Sequence, residues 1–171
     1  METTAADLYD LNPDSAEVCN LQFRSFGKRR RFSGQCAVVR TFEDHLPVLE
    51  MLKGEGNGRV LVVDGGGSLR VGVLGDRIAG IAVASGWTGV ILFGAIRDSV
   101  AIDQLDFGVK ALGATARRGW EKPRPLQSAP VTFGDVRFEP GDWIYADEDS
   151  VILSRRQLAF DAARLPNEEG K

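Results

Sequence analysis

Histidine occurs once in this 171-residue chain, at His45, and cysteine twice, at Cys19 and Cys36. A single imidazole with no paired nucleophile leaves a Ser–His–Asp type of hydrolase without support. Two cysteines without metal-ligand spacing argue against a zinc framework or a disulfide scaffold, and for reduced thiols in a cytoplasmic protein. No window approaches the roughly 20 apolar residues that cross a bilayer, so no membrane span is expected. The opening METTAADLYDLNPD is acidic and has no long apolar core, so it reads as neither a secretory nor a transit signal. Neither sign of charge dominates: 21 basic and 24 acidic residues leave a net charge of −3. That is no general attractant for nucleic acid or acidic membranes.

Hydrophobic residues make up 43% of the chain and charged residues 26%, the balance of a folded globular domain. Residues 1–160 read as one domain, and residues 161–171 as a flexible tail. TTAADLYDL predicts a short opening helix capped by Thr3 or Thr4. FRSFGKRRRFSGQ reads as a basic, glycine-bounded stretch leading into a strand, QCAVVRTF. A helix is expected from Glu43 to Leu52, with Leu46, Leu49 and Leu52 on one face.

RVLVVDGGG and TGVILFG have the uniform apolarity of strands buried on both faces. Between them, GDRIAGIAVASG carries a helical stripe ended by Gly86. SVAIDQLDFG restarts a helix after Arg97-Asp98. This alternation favours a parallel sheet. Later, EKPRPLQSAP reads as a loop, and VTFGDVRF has the Gly-Asp signature of a hairpin. GDWIYADEDSVILS adds antiparallel strands. The fold class is therefore α/β, one domain with a mixed sheet.

Three places suggest chemistry. DGGGSLR lacks the lysine and the spacing of a phosphate loop, leaving a structural crossing or the wall of a cavity. Gly75-Asp76 opens a helix, whose first N–H groups suit a carboxylate or phosphate, although Asp76 could simply cap it. Arg97-Asp98 stands at a second strand-to-helix junction. If the two strands are neighbours, both junctions fall on the carboxyl edge, where ligands of open α/β folds collect. An arginine fork suits a keto acid, and one aspartate with waters suits a Mg²⁺-like ion. The competing reading is a cap and a surface ion pair.

NGRVLVVDGGGSLR, LGDRIA, GVILFGAIRDS, GVKALG and FGDVRFEPGDWIYAD together resemble one family. It includes the regulator of ribonuclease activity A and the class II 4-hydroxy-4-methyl-2-oxoglutarate aldolases. The resemblance runs from about Leu8 to Leu158, and its most specific feature is Gly75-Asp76 followed, after twenty residues, by Arg97-Asp98. It implies a swivelling β/β/α domain assembled as a homotrimer, or as a dimer of trimers. It also implies a divalent cation, Mg²⁺ or Mn²⁺, held by Asp98.

By the same resemblance, Gly75, Asp76, Arg77 and Ile78 form an anion-binding turn for a small 2-keto acid. Arg97 clamps the substrate, and Asp76 orients a water. The implied activity is cleavage of 4-hydroxy-4-methyl-2-oxoglutarate to two pyruvates, with oxaloacetate decarboxylation. Glu168 and Glu169 do not match the acidic residue of the longer-armed aldolases, so weak aldolase activity is one expectation. A non-catalytic regulator of an RNA-processing ribonuclease is the alternative; Asp98, absent from some of those regulators, favours the enzyme.

The remaining charged groups read as ordinary surface. Lys28–Arg31 is expected to be a solvated loop without direct nucleic-acid binding. Arg117-Arg118 and Arg155-Arg156 are expected as surface charges, and His45 as a solvent-facing polar side chain at a helix start rather than a general base.

Overall fold

Val60, Leu61, Val62 and Val63 are all fully buried, which a strand achieves only when both faces of its sheet are covered. The computed structural model describes residues 3–119 and 128–160. Its first half contains helix α1 (Ala5–Leu11), strands β1 (Glu17–Val18), β2 (Arg24–Phe26) and β3 (Phe32–Arg40), and helix α2 (Leu46–Lys53). Strands β4 (Val60–Asp64) and β5 (Gly72–Leu74), helix α3 (Asp76–Ala84), strand β6 (Gly89–Ile96) and helix α4 (Ser99–Ile102) follow. Strands β7 (Gly108–Ala114), β8 (Val131–Phe133), β9 (Val136–Phe138), β10 (Trp143–Ala146) and β11 (Val151–Ser154) complete the described chain.

Strands β3, β4, β6 and β7 lie side by side and parallel. Antiparallel β10, β11 and β1 extend the sheet beyond β3, and antiparallel β2 closes the other edge against β7. The mixed sheet is as expected. Alternation along the central strands sorts their side chains between two cores. Cys36, Val38, Val60, Val62 and Ile91 pack with Val131, Phe133, Val136 and Phe138 of the β8–β9 hairpin. Ala37, Val39, Leu61, Val63 and Leu92 pack instead with Val48, Leu52, Ile78, Ala79 and Ala82 of α2 and α3. The layers are hairpin, sheet and helices.

Phe32 explains two central glycines. Gly89 and Gly108 are register partners on β6 and β7, and a Cβ on either would overlap the Phe32 ring. The ring fills the space that two side chains would otherwise occupy.

The opening helix is capped by Thr4, whose hydroxyl accepts from Asp7 N–H at 3.0 Å. Buried Asp147 ties it to the β10–β11 turn: its carboxylate accepts from Ala5 N–H at 2.6 Å, Asp149 N–H at 3.1 Å and Ser150 N–H at 2.9 Å. The VTFGDVRF hairpin turns through Gly134 and Asp135, both at positive φ (59° and 63°), as a tight β-hairpin requires.

Three expectations need correction. Helix α2 begins at Leu46, not Glu43, because Glu43 takes a positive φ of 57° and the Asp44 side chain accepts from Leu46 N–H at 2.9 Å. Leu52 enters the core and Leu49, partly buried, packs against the same core, as expected. The basic stretch contains β2, paired to β7. Strand β5, unrecognised in VGVL because only three residues pair, is decisive for the site. The EKPRPLQSAP loop lies mostly, and the ARLPNEEGK tail wholly, outside the described residues.

Candidate active site

The glycine run after β4 reroutes the chain rather than cradling a ligand. Gly65 and Gly67 both donate to the Phe93 carbonyl, at 3.0 and 3.1 Å. Strand β4 accompanies β6 as far as Phe93, and β5 then takes over beside Ala95 and Ile96. The relay brings the two junctions together. Leu74 and Ile96 are parallel register partners, and Arg97 N–H donates to the Leu74 carbonyl at 2.9 Å. Both strands therefore end at one carboxyl edge.

Gly75 caps α3 with extended torsions (φ −120°, ψ 178°) that any residue can adopt. Space is what favours glycine here. A Cβ would stand 2.9 Å from Asp98 Oδ2 and 3.1 Å from Arg97 Cγ. Arg97 Nε donates to Asp98 Oδ2 at 2.9 Å, with each side chain about a third exposed. Asp98 takes a left-handed conformation (φ 55°, ψ 39°) at the start of α4, which costs a non-glycine residue about 1–3 kcal/mol. That conformation lets one residue leave β6, begin the next turn and return its carboxylate towards Gly75.

Asp76 is the first residue of α3, one position inside the Gly75 cap. Its Oδ1 accepts from Arg77 N–H at 2.6 Å, so the side chain satisfies one first-turn donor of the helix. Gly75, Asp76, Arg77, Ile78, Arg97 and Asp98 all line one cavity of about 470 Å³. The sequence-predicted residues thus share one wall. Asp76 and Asp98 also border a more open cleft beside Val100 and Thr115.

The other wall was missed. His45, Leu46, Leu49 and Arg118 face the same cavity. His45 is buried and not on the surface as expected, with Nδ1 3.3 Å from the Gly119 carbonyl. Arg118 is exposed, as expected, but at the mouth of the site. Nothing in the spacing of RRG could show this, because a main-chain bridge to Gly72 brings it there.

The other charged groups are tied elsewhere. Arg29 pairs with Asp106, Arg30 with Asp103 and Arg31 with Glu148, so the basic run is an ion-paired surface. Arg155 is held between Asp142 and Glu17. Burial pushes the Cys36 thiol up to about 12, too high for a reactive thiolate. Cys19 is raised for the same reason.

Among the described residues, no three His, Cys, Asp or Glu side chains cluster as a metal cage. The donors bordering the cavity, the Asp98 and Asp76 carboxylates, do not fit the three or four N/S ligands of zinc. They fit a hard cation, which takes one or two carboxylates and keeps several waters. No described helix is long and apolar enough to cross a membrane.

Residues 5–153 match the profile of the RraA-like family, described as Aldolase/RraA. The chain belongs to this family. The RraA-like chain is 42% identical over 158 residues to a protein of Alkalilimnicola ehrlichii, covering 92% of this chain and 98% of that one. It is 44% identical to a protein of Aromatoleum aromaticum, covering 92% and 99%. Each bears the name "Putative 4-hydroxy-4-methyl-2-oxoglutarate aldolase".

Two solved structures are also similar. One, named as an S-adenosylmethionine:2-dimethylmenaquinone methyltransferase from Geobacillus kaustophilus, has a TM-score of 0.88 at 43% identity, covering 91% of this chain and 97% of its own. The other, named as the RNA-processing inhibitor RraA of Thermus thermophilus, has a TM-score of 0.86 at 37% identity, covering 96% and 99%. These names differ while the fold persists, so activity has to be argued from the site.

Proposed function

We propose that this RraA-like protein is a divalent-cation-dependent lyase that cleaves 4-hydroxy-4-methyl-2-oxoglutarate to two pyruvates and decarboxylates oxaloacetate. The observation that carries this reading is the convergence of Gly75, Asp76, Arg97 and Asp98 on one cavity. The names of the relatives at 42% and 44% identity support it.

In this reading Arg97 presents its fork to the pyruvoyl end, and the first turn of α3 receives the carboxylate. Asp98, with Asp76 nearby, would hold Mg²⁺ or Mn²⁺, which supplies Lewis-acid polarisation of the 2-keto oxygen when bound. The 4-hydroxyl proton passes to the water that Asp76 orients, C4 becomes a carbonyl, and the C3–C4 pair of electrons moves into an enolate at C2–C3. Arg97 offsets the charge gathering on the 2-oxygen. A proton then returns to C3, and Asp76 is placed to orient the water that carries it. Oxaloacetate loses CO₂ from the same bond and gives the same enolate, so one site serves both reactions.

Pyruvate release with Mg²⁺ or Mn²⁺ is the test, repeated with chelator and in Asp98→Ala. Loss of turnover in both is expected; unchanged turnover in both rules the mechanism out. We place the protein in the cytoplasm, as a homotrimer or a dimer of trimers. The likeness to the Thermus thermophilus RNA-processing inhibitor, at TM-score 0.86, supports a second reading as a regulator of a ribonuclease. Retention of a ribonuclease by a wild type that releases no pyruvate would favour it.

A further inference from the structure

The pyruvoyl group assigned to Arg97 leaves the opposite wall of the cavity unused. There the main chain fixes Arg118 by a route that is visible in its hydrogen bonds. The chain leaves β7 beside Ile96, to whose carbonyl Thr115 N–H donates at 2.9 Å. By Arg117 it runs along the edge of β5 away from β6. Gly72 N–H donates to the Arg117 carbonyl at 2.8 Å, and Gly119 N–H donates to the Gly72 carbonyl at 3.1 Å. Arg118 is thereby the bridge partner of Gly72. His45 steadies the same strap through its Nδ1 contact with the Gly119 carbonyl. A carbonyl only accepts, so Nδ1 carries the proton.

Strand β5 consequently lies between the strand that ends at Arg97 and the strap that bears Arg118. Gly72, the bridge partner of Arg118, packs against the Ile96–Arg97 peptide, where a Cβ would stand 2.9 Å from Arg97 N, so a single residue separates the two arginine backbones. An extended five-carbon diacid spans roughly 5 Å between its carboxyl carbons, so two long guanidinium side chains can bracket it. Leu46 and Leu49, on the wall beside Arg118, offer apolar surface to the carbons between.

We propose that Arg118 binds the distal carboxylate of a 2-keto dicarboxylate whose pyruvoyl end is held at Arg97. The proposal rests on the lyase reading for the Arg97 end, and it makes Arg118 the residue that selects diacids over monoacids. His45 is a positioning residue for the strap.

Calorimetric binding separates this from catalysis. The probes are 2-oxoglutarate, a diacid without the 4-hydroxyl needed for cleavage, and 2-oxobutyrate, a monoacid, each with Mg²⁺ present. Wild type is expected to bind the diacid more tightly. Arg118→Gln should weaken the diacid about tenfold, the scale of one charge-assisted bond, and leave the monoacid within about twofold. Arg118→Lys should fall between, because it keeps the charge and loses the planar fork. Equal weakening of both acids, no weakening of either, or a wild type without diacid preference overturns the proposal. A wild type that prefers the diacid and loses that preference in Arg118→Gln, yet releases no pyruvate from a cleavable substrate, sinks the lyase reading and leaves this one standing.

Discussion

A methyl group on Gly75 would sit 2.9 Å from Oδ2 of Asp98, closer than a settled contact allows. The two residues are 23 positions apart in the chain and come together because β5 and β6 end in register. Gly75→Ala strains no backbone torsion, since φ is −120°, so its effect should be confined to the carboxylate it displaces. We expect Tm to move by no more than about 4 °C while pyruvate release falls about 100-fold. Scanning calorimetry beside a coupled pyruvate assay checks both. A large Tm loss with proportionate activity would show that the glycine serves the fold and not the site.

Asp147 offers a stability test away from the chemistry. Its carboxylate satisfies three backbone N–H groups, from Ala5, Asp149 and Ser150, in a buried setting. Asp147→Ala should cost about 3 kcal/mol, because those donors lose a charged acceptor. Asp147→Asn keeps one acceptor oxygen and should cost less. Urea titration reads the difference as a shift in midpoint at constant slope.

Lys110 predicts a pH dependence. It is 1% exposed, and its Nζ donates to Ser25 Oγ at 2.7 Å and the Glu148 carbonyl at 3.3 Å. Burial pushes its pKa below the ordinary 10.5, more than nearby Asp147, Glu148 and Asp149 restore. Between the lowered folded value and 10.5, the unfolded chain binds the extra proton, so this group's contribution to stability rises with pH in that window. Wild type should therefore gain on Lys110→Met as pH climbs towards 10, measured by urea midpoints of both proteins. A difference that stays flat across that range would contradict the assignment.

The legible parts were those that local physics settles. The apolar runs of β4 and β6, the Thr4 cap and the Gly134-Asp135 turn followed from periodicity, capping and positive φ. The pairs Gly75-Asp76 and Arg97-Asp98 were recognisable as strand-to-helix junctions, and a resemblance supplied their roles. Strand β5 was not legible, since three residues give no period to read. Nor was the burial of His45 or the arrival of Arg118, because both depend on the strap bonding to Gly72 and on Gly119.

Composition and pattern by themselves determined a mixed α/β domain with buried parallel strands and two candidate junctions, because hydrophobic alternation and helix-start chemistry are local properties. Tertiary structure alone decided that these junctions meet, that Gly75 packs directly against the Asp98 carboxylate, and that an arginine from a distant turn lines the same cavity. Those facts depend on which strand ends lie side by side, and strand pairing is a long-range choice that no short window of residues records.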